Sequence, residues 1–146
     1  MEAIDRQILG LLARDGRMSF TDLGKATGLS TSAVHQRVRR LEQRGVIRGY
    51  AAVVDAEAVG LSLTAFVSVT PLDQSAPDDV PDRLSGLEEI EACHSVAGDE
   101  NYILKVRVAT PGALEQLLAR IRAAAGVSTR TTIVLSTPYE ARPLPA

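Results

Sequence analysis

The chain has no tryptophan, only two phenylalanines and three tyrosines, two histidines and a single cysteine. One cysteine, Cys93, excludes an internal disulfide and any cysteine-clustered zinc site, and it suits a reducing, cytoplasmic compartment. His35 and His94 are too few and too scattered for histidine-based chemistry. No Ser/His/Asp, metal-ligand or phosphate-loop spacing occurs either, so no catalytic residue, metal or cofactor is expected. On this reading Cys93 is a small core residue and His94 a packed strand residue. No apolar run approaches the length of a membrane span, and charges interrupt the N-terminal MEAIDRQILGLLARDG too early for a secretory signal. Low-complexity tracts are lacking, and 45% hydrophobic with 23% charged residues is ordinary for a globular chain. At 146 residues there is room for one domain or two small ones with modest cores, which oligomer contacts would help.

What is present is unevenly distributed. The net charge of −2 conceals a basic head and an acidic body: residues 1–50 carry nine Lys/Arg against five Asp/Glu, and residues 51–146 seven against thirteen. A basic head is what attraction to phosphate requires.

Within the head, Ile4, Ile8, Leu11 and Leu12 form one stripe of an amphipathic helix ending near Asp15-Gly16. Ser19 with Asp22 resembles a capping box, Leu23 and Ala26 supply the inner face of a short second helix, and Gly28 closes it. Leu29-Ser30 bridges to a third helix, capped by Ser30, with Val34, Val38 and Leu41 inward and Gly45 as its stop. Two short helices across a tight Gly-Leu-Ser turn are the sequence form of a helix-turn-helix, whose second helix can enter the DNA major groove. The 3.6-residue period sends Ser32, Gln36, Arg39 and Gln43 outward, flanked by His35 and Arg40. Arg pairs with guanine and Gln with adenine, while hydroxyls such as those of Ser30 and Thr31 can hold phosphates. The alternative is a merely solvated arginine face. Arg37, nearer the core edge, makes either a phosphate contact or an ion pair with Glu42 or Asp22.

Next comes VIRGYAAVV. Arg48-Gly49 can bend into a wing beside DNA with Arg48 on phosphate, or Ile47, Tyr50, Val53 and Val54 form only a connecting strand, with a partner chain as one option for its pairing. Residues 55–62 read as a linker between a DNA-binding part at 1–54 and a second domain at 63–146. That second domain alternates: a strand from Leu63 to Leu72, a helix from Asp78 to Ile90, strands from Ala92 to Ala97 and Tyr102 to Ala109, a helix from Pro111 to Ala125, and a strand from Arg130 to Thr137. The fold class is therefore α+β, a winged helix-turn-helix followed by a ferredoxin-like βαββαβ domain with both helices on one face of an antiparallel sheet. TAFVSV and YILKVRV place apolar residues on both faces, so the uncovered face is expected to pack against a second copy. A two-fold dimer would present two recognition helices to a pseudo-palindromic site on double-stranded DNA.

The chain resembles the leucine-responsive regulatory protein and asparagine-regulator (Lrp/AsnC) family of feast/famine transcription regulators, with an actinobacterial cast. The likeness rests on IDRQILGLLARDGR and GLSTSAVHQRVRRLEQRGVIRGYAAVVD in the head, and on SVAGDENYILKVRV and TRTTIVLST in the body. It implies a RAM-type C-terminal domain, a homodimer assembled further into tetramers or octamers, and an amino acid or related metabolite bound between subunits. It also implies that the effector lies beside the glycine-acid loop, here Gly98, Asp99, Glu100, Asn101 and Tyr102. Chemically, Gly98 can offer backbone N–H groups to a carboxylate, and Asp99 or Glu100 can pair with an α-ammonium. The plain alternative is a solvated turn between strands. Many members carry an aromatic and then an aspartate after Gly-Asp, whereas Glu100 and Asn101 stand here, which rearranges the charges facing a zwitterion. Thr131, Thr132, Ser136 and Thr137 are candidates for hydroxyl contacts, strand alternation allowing only some of them on one face. Two other readings stand beside this one: an architectural DNA-binding protein of low specificity, and an enzyme on the scaffold of tetrapyrrole decarboxylases.

Overall fold

The computed structural model describes residues 1–145 and divides into two compact units: residues 1–53 with the segment from Pro138, and residues 54–137.

Three helices make the first unit: α1 (Ala3–Arg14), α2 (Phe20–Thr27) and α3 (Thr31–Gln43). Their apolar stripes meet in a core of Ile8, Leu23, Val34, Val38 and Leu41, all 2% exposed or less. The expected caps are in place. The Ser19 hydroxyl accepts from the Asp22 N–H, and Ser30 accepts from that of Ala33. Gly28 ends α2 in the left-handed region, at φ 75°, where a side chain would be strained. The N–H groups of both Gly28 and Leu29 return to the Gly24 carbonyl, at 2.8 and 3.1 Å.

The expected strand or wing through VIRGYAAVV does not form within this chain. After Gly45, at φ 70°, the Val46 and Ile47 N–H groups both turn back to the Leu41 carbonyl. Residues 48–54 carry no β-ladder, and Val53 is 98% exposed. β-propensity alone does not make a strand where the chain supplies no neighbouring edge. The linker folds as a short turn, with the Leu61 N–H bonded to the Ala56 carbonyl.

The second unit runs β1 (Leu63–Pro71), α4 (Val80–Leu84), β2 (Ile90–Ser95), β3 (Tyr102–Val108), α5 (Pro111–Ala125) and β4 (Val127–Ile133). Every sheet pairing is antiparallel, and the strand order is β2-β3-β1-β4, the ferredoxin-like arrangement. Ala65, Val67 and Val69 of β1 lie beside Tyr102, Leu104 and Val106 of β3. Leu114, Leu117 and Ile121 of α5 cover this face, together with Val80 and Leu84 of α4.

The other face is less apolar than the alternation suggests. Phe66 and Ile103 share it with Thr64, Ser68, Lys105 and Arg107, and Arg107 donates to Glu91 at 2.7 Å and to the Thr64 hydroxyl at 3.1 Å. Cys93 and His94, read as packed, are both exposed on β2, an edge strand of the sheet.

Three boundaries differ from expectation. The helix read over 78–90 is only Val80–Leu84, followed by turns in which the Leu87 N–H bonds Leu84 and that of Ile90 bonds Leu87. Those turns across Gly86 keep the apolar spacing while returning the chain to pair Ile90 with Val106. β2 accordingly occupies 90–95 and not 92–97. The last strand starts at Val127, because Gly126 at φ 60° ends α5 and turns directly into it. It ends at Ile133, which leaves Ser136 and Thr137 outside any strand.

Candidate DNA interface and effector pocket

In the first unit, α3 is held by contacts on its inner side. Arg37 donates to Asp5 at 2.9 Å and approaches Glu2 at 3.1 Å, which ties α3 to α1. The hydrogen bond Arg37 donates to Asp5, and then the one to Glu2, push the guanidinium's pKa still higher. Arg37 is thus an ion-pairing residue with partners other than the Glu42 or Asp22 anticipated, since two acids of α1 face it across the bundle. Asp5 is 7% exposed, and a buried carboxylate of this kind requires a paired partner, which Arg37 supplies. Gln7 adds a bond to the Ala26 carbonyl at 3.1 Å, fixing α1 to α2.

With one side of α3 so engaged, Thr31, Ser32, His35, Gln36, Arg39, Arg40 and Gln43 are all exposed. Arginine, glutamine, histidine and hydroxyls along a single rigid helix are donors and acceptors matched to base edges and phosphates. The hydroxyl of Ser30 is committed to capping and to a 3.2 Å contact with the Ser32 hydroxyl. Arg48 is exposed in the segment beyond α3. One neighbour escaped sequence reasoning: Phe20, the first residue of α2, lies with its ring centroid 5.2 Å from that of His35. Its only sequence signal is an apolar residue just after a capping serine.

In the second unit, a cavity of about 230 Å³ is lined by Asp78, Ser95, Val96, Ala97, Gly98, Glu100, Asn101 and Tyr102. The loop is anchored by the Asn101 N–H on the Val69 carbonyl and by the Val96 N–H on the Asn101 carbonyl, both 3.1 Å. Tyr102 is buried, and its hydroxyl donates to Asp78 at 2.5 Å. That bond and, second to it, burial push the phenol up to about 12. Asp78 lies 24 residues from Tyr102, so no local pattern pointed to it.

A second cavity, about 140 Å³, is lined by Ser68, Thr70, Asp99, Glu100, Ser128, Thr129 and Arg130. Glu100 therefore borders both, and Arg130 adds a cation to the lining that holds Asp99 and Glu100. Of the seven candidate effector residues, Gly98, Glu100, Asn101 and Tyr102 line the first cavity, and Asp99 lines only the second. Thr132 is in neither lining: it sits on β4 opposite Phe66. Ser136 lies past the end of the strand and lines neither cavity. Among the described residues no group of three or more His, Cys, Asp or Glu is placed to hold a metal, and no helix is long and apolar enough to cross a membrane.

Comparison with known proteins agrees with both units. Residues 1–42 match the AsnC-type helix-turn-helix domain, and residues 64–144 match the Lrp/AsnC ligand binding domain. The chain is 56% identical over 142 residues to the HTH-type transcriptional regulator LrpA of Mycobacterium tuberculosis, covering 97% of this chain and 95% of that one. It is 41% identical over 140 residues to the leucine-responsive regulatory protein of Escherichia coli, covering 92% and 85%. Its fold superimposes with a TM-score of 0.94 on the feast or famine regulatory protein of M. tuberculosis complexed with L-methionine, at 56% identity over 95% of each chain. The mycobacterial relative fits the actinobacterial cast of the sequence. A helix-turn-helix with a polar outer face, joined to a βαββαβ sheet domain with an acidic loop pocket, thus belongs to the Lrp/AsnC family of transcriptional regulators.

Proposed function

We propose that this regulator reads double-stranded DNA through the exposed face of α3 and adjusts its binding when an amino acid or related metabolite occupies the Gly98–Tyr102 loop. The observation that carries the reading is the division of α3 into two sides. Val34, Val38, Leu41 and Arg37 hold it to the bundle, which leaves His35, Gln36, Arg39 and Arg40 for base edges. Ser30, Thr31, Ser32 and Arg48 serve the phosphates on this reading. In this scheme residues 1–54 read DNA, 55–62 connect, and 63–146 sense and assemble. The cytoplasm is the working compartment, and regulation with no catalytic step is the whole activity.

The amino-acid effector is supported by the L-methionine complex of the M. tuberculosis relative and by the loop chemistry. Asp99 and Glu100 are carboxylates suited to an α-ammonium, while Gly98 backbone N–H groups suit a carboxylate. The face bearing Phe66 and Ile103 is the surface for a second copy, giving a dimer able to build tetramers or octamers. An effector held between such copies changes DNA affinity only by binding one assembly better than another.

The test is titration of the chain onto its own promoter region and onto a scrambled duplex, at two salt concentrations, with and without an amino-acid pool. Preference for the promoter that survives higher salt and moves with amino acids is expected. Equal, salt-sensitive binding to both duplexes would overturn sequence-specific regulation.

A further inference from the structure

We infer that Phe20, which lies outside the recognition helix, is a specificity-determining residue: its ring positions His35 so that the pair reads one base position of the DNA site. The inference rests on the proposal that the exposed face of α3 meets base edges.

Phe20 follows the capping Ser19 and opens α2. It is 36% exposed, and it is absent from the apolar cluster that Ile8, Leu23, Val34, Val38 and Leu41 form with Leu9, Leu11, Leu12, Met18, Leu29 and Ile47. Burial in the core therefore does not account for a phenylalanine here. What it touches is His35, on the outer side of α3, with ring centroids 5.2 Å apart and planes inclined at 51°. Tilted aromatic pairs at this separation attract through the ring edge and face.

The consequence for His35 is geometric. An exposed histidine on a helix samples several rotamers, and each must be given up when it docks on a base. A ring fixed against one side removes that freedom beforehand and leaves the imidazole edge to hydrogen-bond. One nitrogen donates and the other accepts in neutral imidazole. The major-groove edge of guanine offers two acceptors and adenine one beside a donor, so the pair would favour a purine on the strand it faces. Gln36 and Arg39, on the same face, then read their own positions independently.

The experiment is selection of preferred duplexes from a randomised pool by the full chain. Wild type is compared with His35→Ala, Phe20→Ala, Phe20→Leu, Phe20→Tyr and the double variant Phe20→Ala/His35→Ala, with affinity for the wild-type consensus measured for each. Expected is loss of base preference at one and the same position in His35→Ala, Phe20→Ala and Phe20→Leu, with affinity down about three- to tenfold, the range of an aromatic pair. Phe20→Tyr keeps the ring and restores the preference. The double variant is no weaker than His35→Ala. Binding to a scrambled duplex and its salt dependence stay unchanged, because no phosphate contact is lost.

A Phe20→Ala consensus identical to wild type, a uniform loss on all sequences, or rescue by leucine as well as by tyrosine would overturn the assignment. So would losses that simply add in the double variant. A wild-type chain that selects no preferred sequence would instead overturn the regulator reading beneath it, and this inference with it.

Discussion

Three glycines of the helical unit, each replaced by alanine, should change its stability in different directions. Alanine favours a helix interior over glycine by about 1 kcal/mol. In α1, a Cβ on Gly10 would meet the Arg14 Nη1 atom at 3.7 Å, an ordinary contact, so Gly10→Ala should keep that gain. In α2, a Cβ on Gly24 would stand 2.6 Å from the Leu29 carbonyl oxygen. That oxygen belongs to the backbone of the turn, so α2 and the turn must part. Overpacking of this kind costs about 1–3 kcal/mol, which outweighs the helical gain or at best cancels it. The Gly24 carbonyl also receives two N–H groups from the turn, and separation would stretch both. Gly28 meets nothing with an added Cβ, but its φ of 75° costs an alanine about 1–2 kcal/mol.

A domain of this size shifts its melting temperature by roughly 4–8 °C per kcal/mol. Far-ultraviolet circular dichroism should therefore show Gly10→Ala melting several degrees above wild type, and Gly24→Ala and Gly28→Ala below it. Gly24→Ala should also weaken DNA binding well below its own transition, because the start of α3 has moved. A Gly24→Ala protein as stable as Gly10→Ala would refute the close approach of α2 to the turn.

Further outcomes follow from the same contacts. Asp5→Ala should lower the melting temperature more than Glu2→Ala does, since Asp5 is the more buried partner of Arg37 and its hydrogen bond the stronger influence; equal melting curves would show that the ion pair does not bind α3 to α1. Arg39→Ala should cost about 1–3 kcal/mol of specific DNA binding, whereas Arg122→Ala, whose guanidinium bonds Thr129 in the other unit, should leave binding unchanged in a gel-shift titration. Tyr102, raised from 10.0 to about 12 by Asp78 and by burial, contributes stability that is fully present below about pH 10 and lost as pH rises through 12. Melting between those pH values should therefore decline less steeply in Tyr102→Phe than in wild type, and phenolate absorbance should lose a late-titrating group. A difference titration that places the lost group at the ordinary phenol midpoint of about 10 would argue against the Asp78 contact.

Where a feature depends on neighbours in the chain, the amino-acid sequence by itself determined it. The stripe Val34, Val38, Leu41 could only be buried by one side of a helix, so the outward set His35, Gln36, Arg39 followed. Ser19, Ser30, Gly28 and Gly126 act through bonds or torsions a few residues away, and the order of strands and helices is likewise written in local periodicity. Contacts between distant residues were decided only by tertiary structure. Arg37 took Asp5 and Glu2 because α1 crosses it, and Phe20 met His35 because two helices converge. Asp78 closed on Tyr102 because β3 begins beside the loop that follows β1. The segment 46–54 has strand-forming residues but finds no pairing edge within its own chain, since a strand needs an edge that local sequence does not supply. Thr132 shares its face with Ser68 and Arg130 of the second cavity, but the antiparallel pairing sets it opposite Phe66, further along the strand and outside that lining.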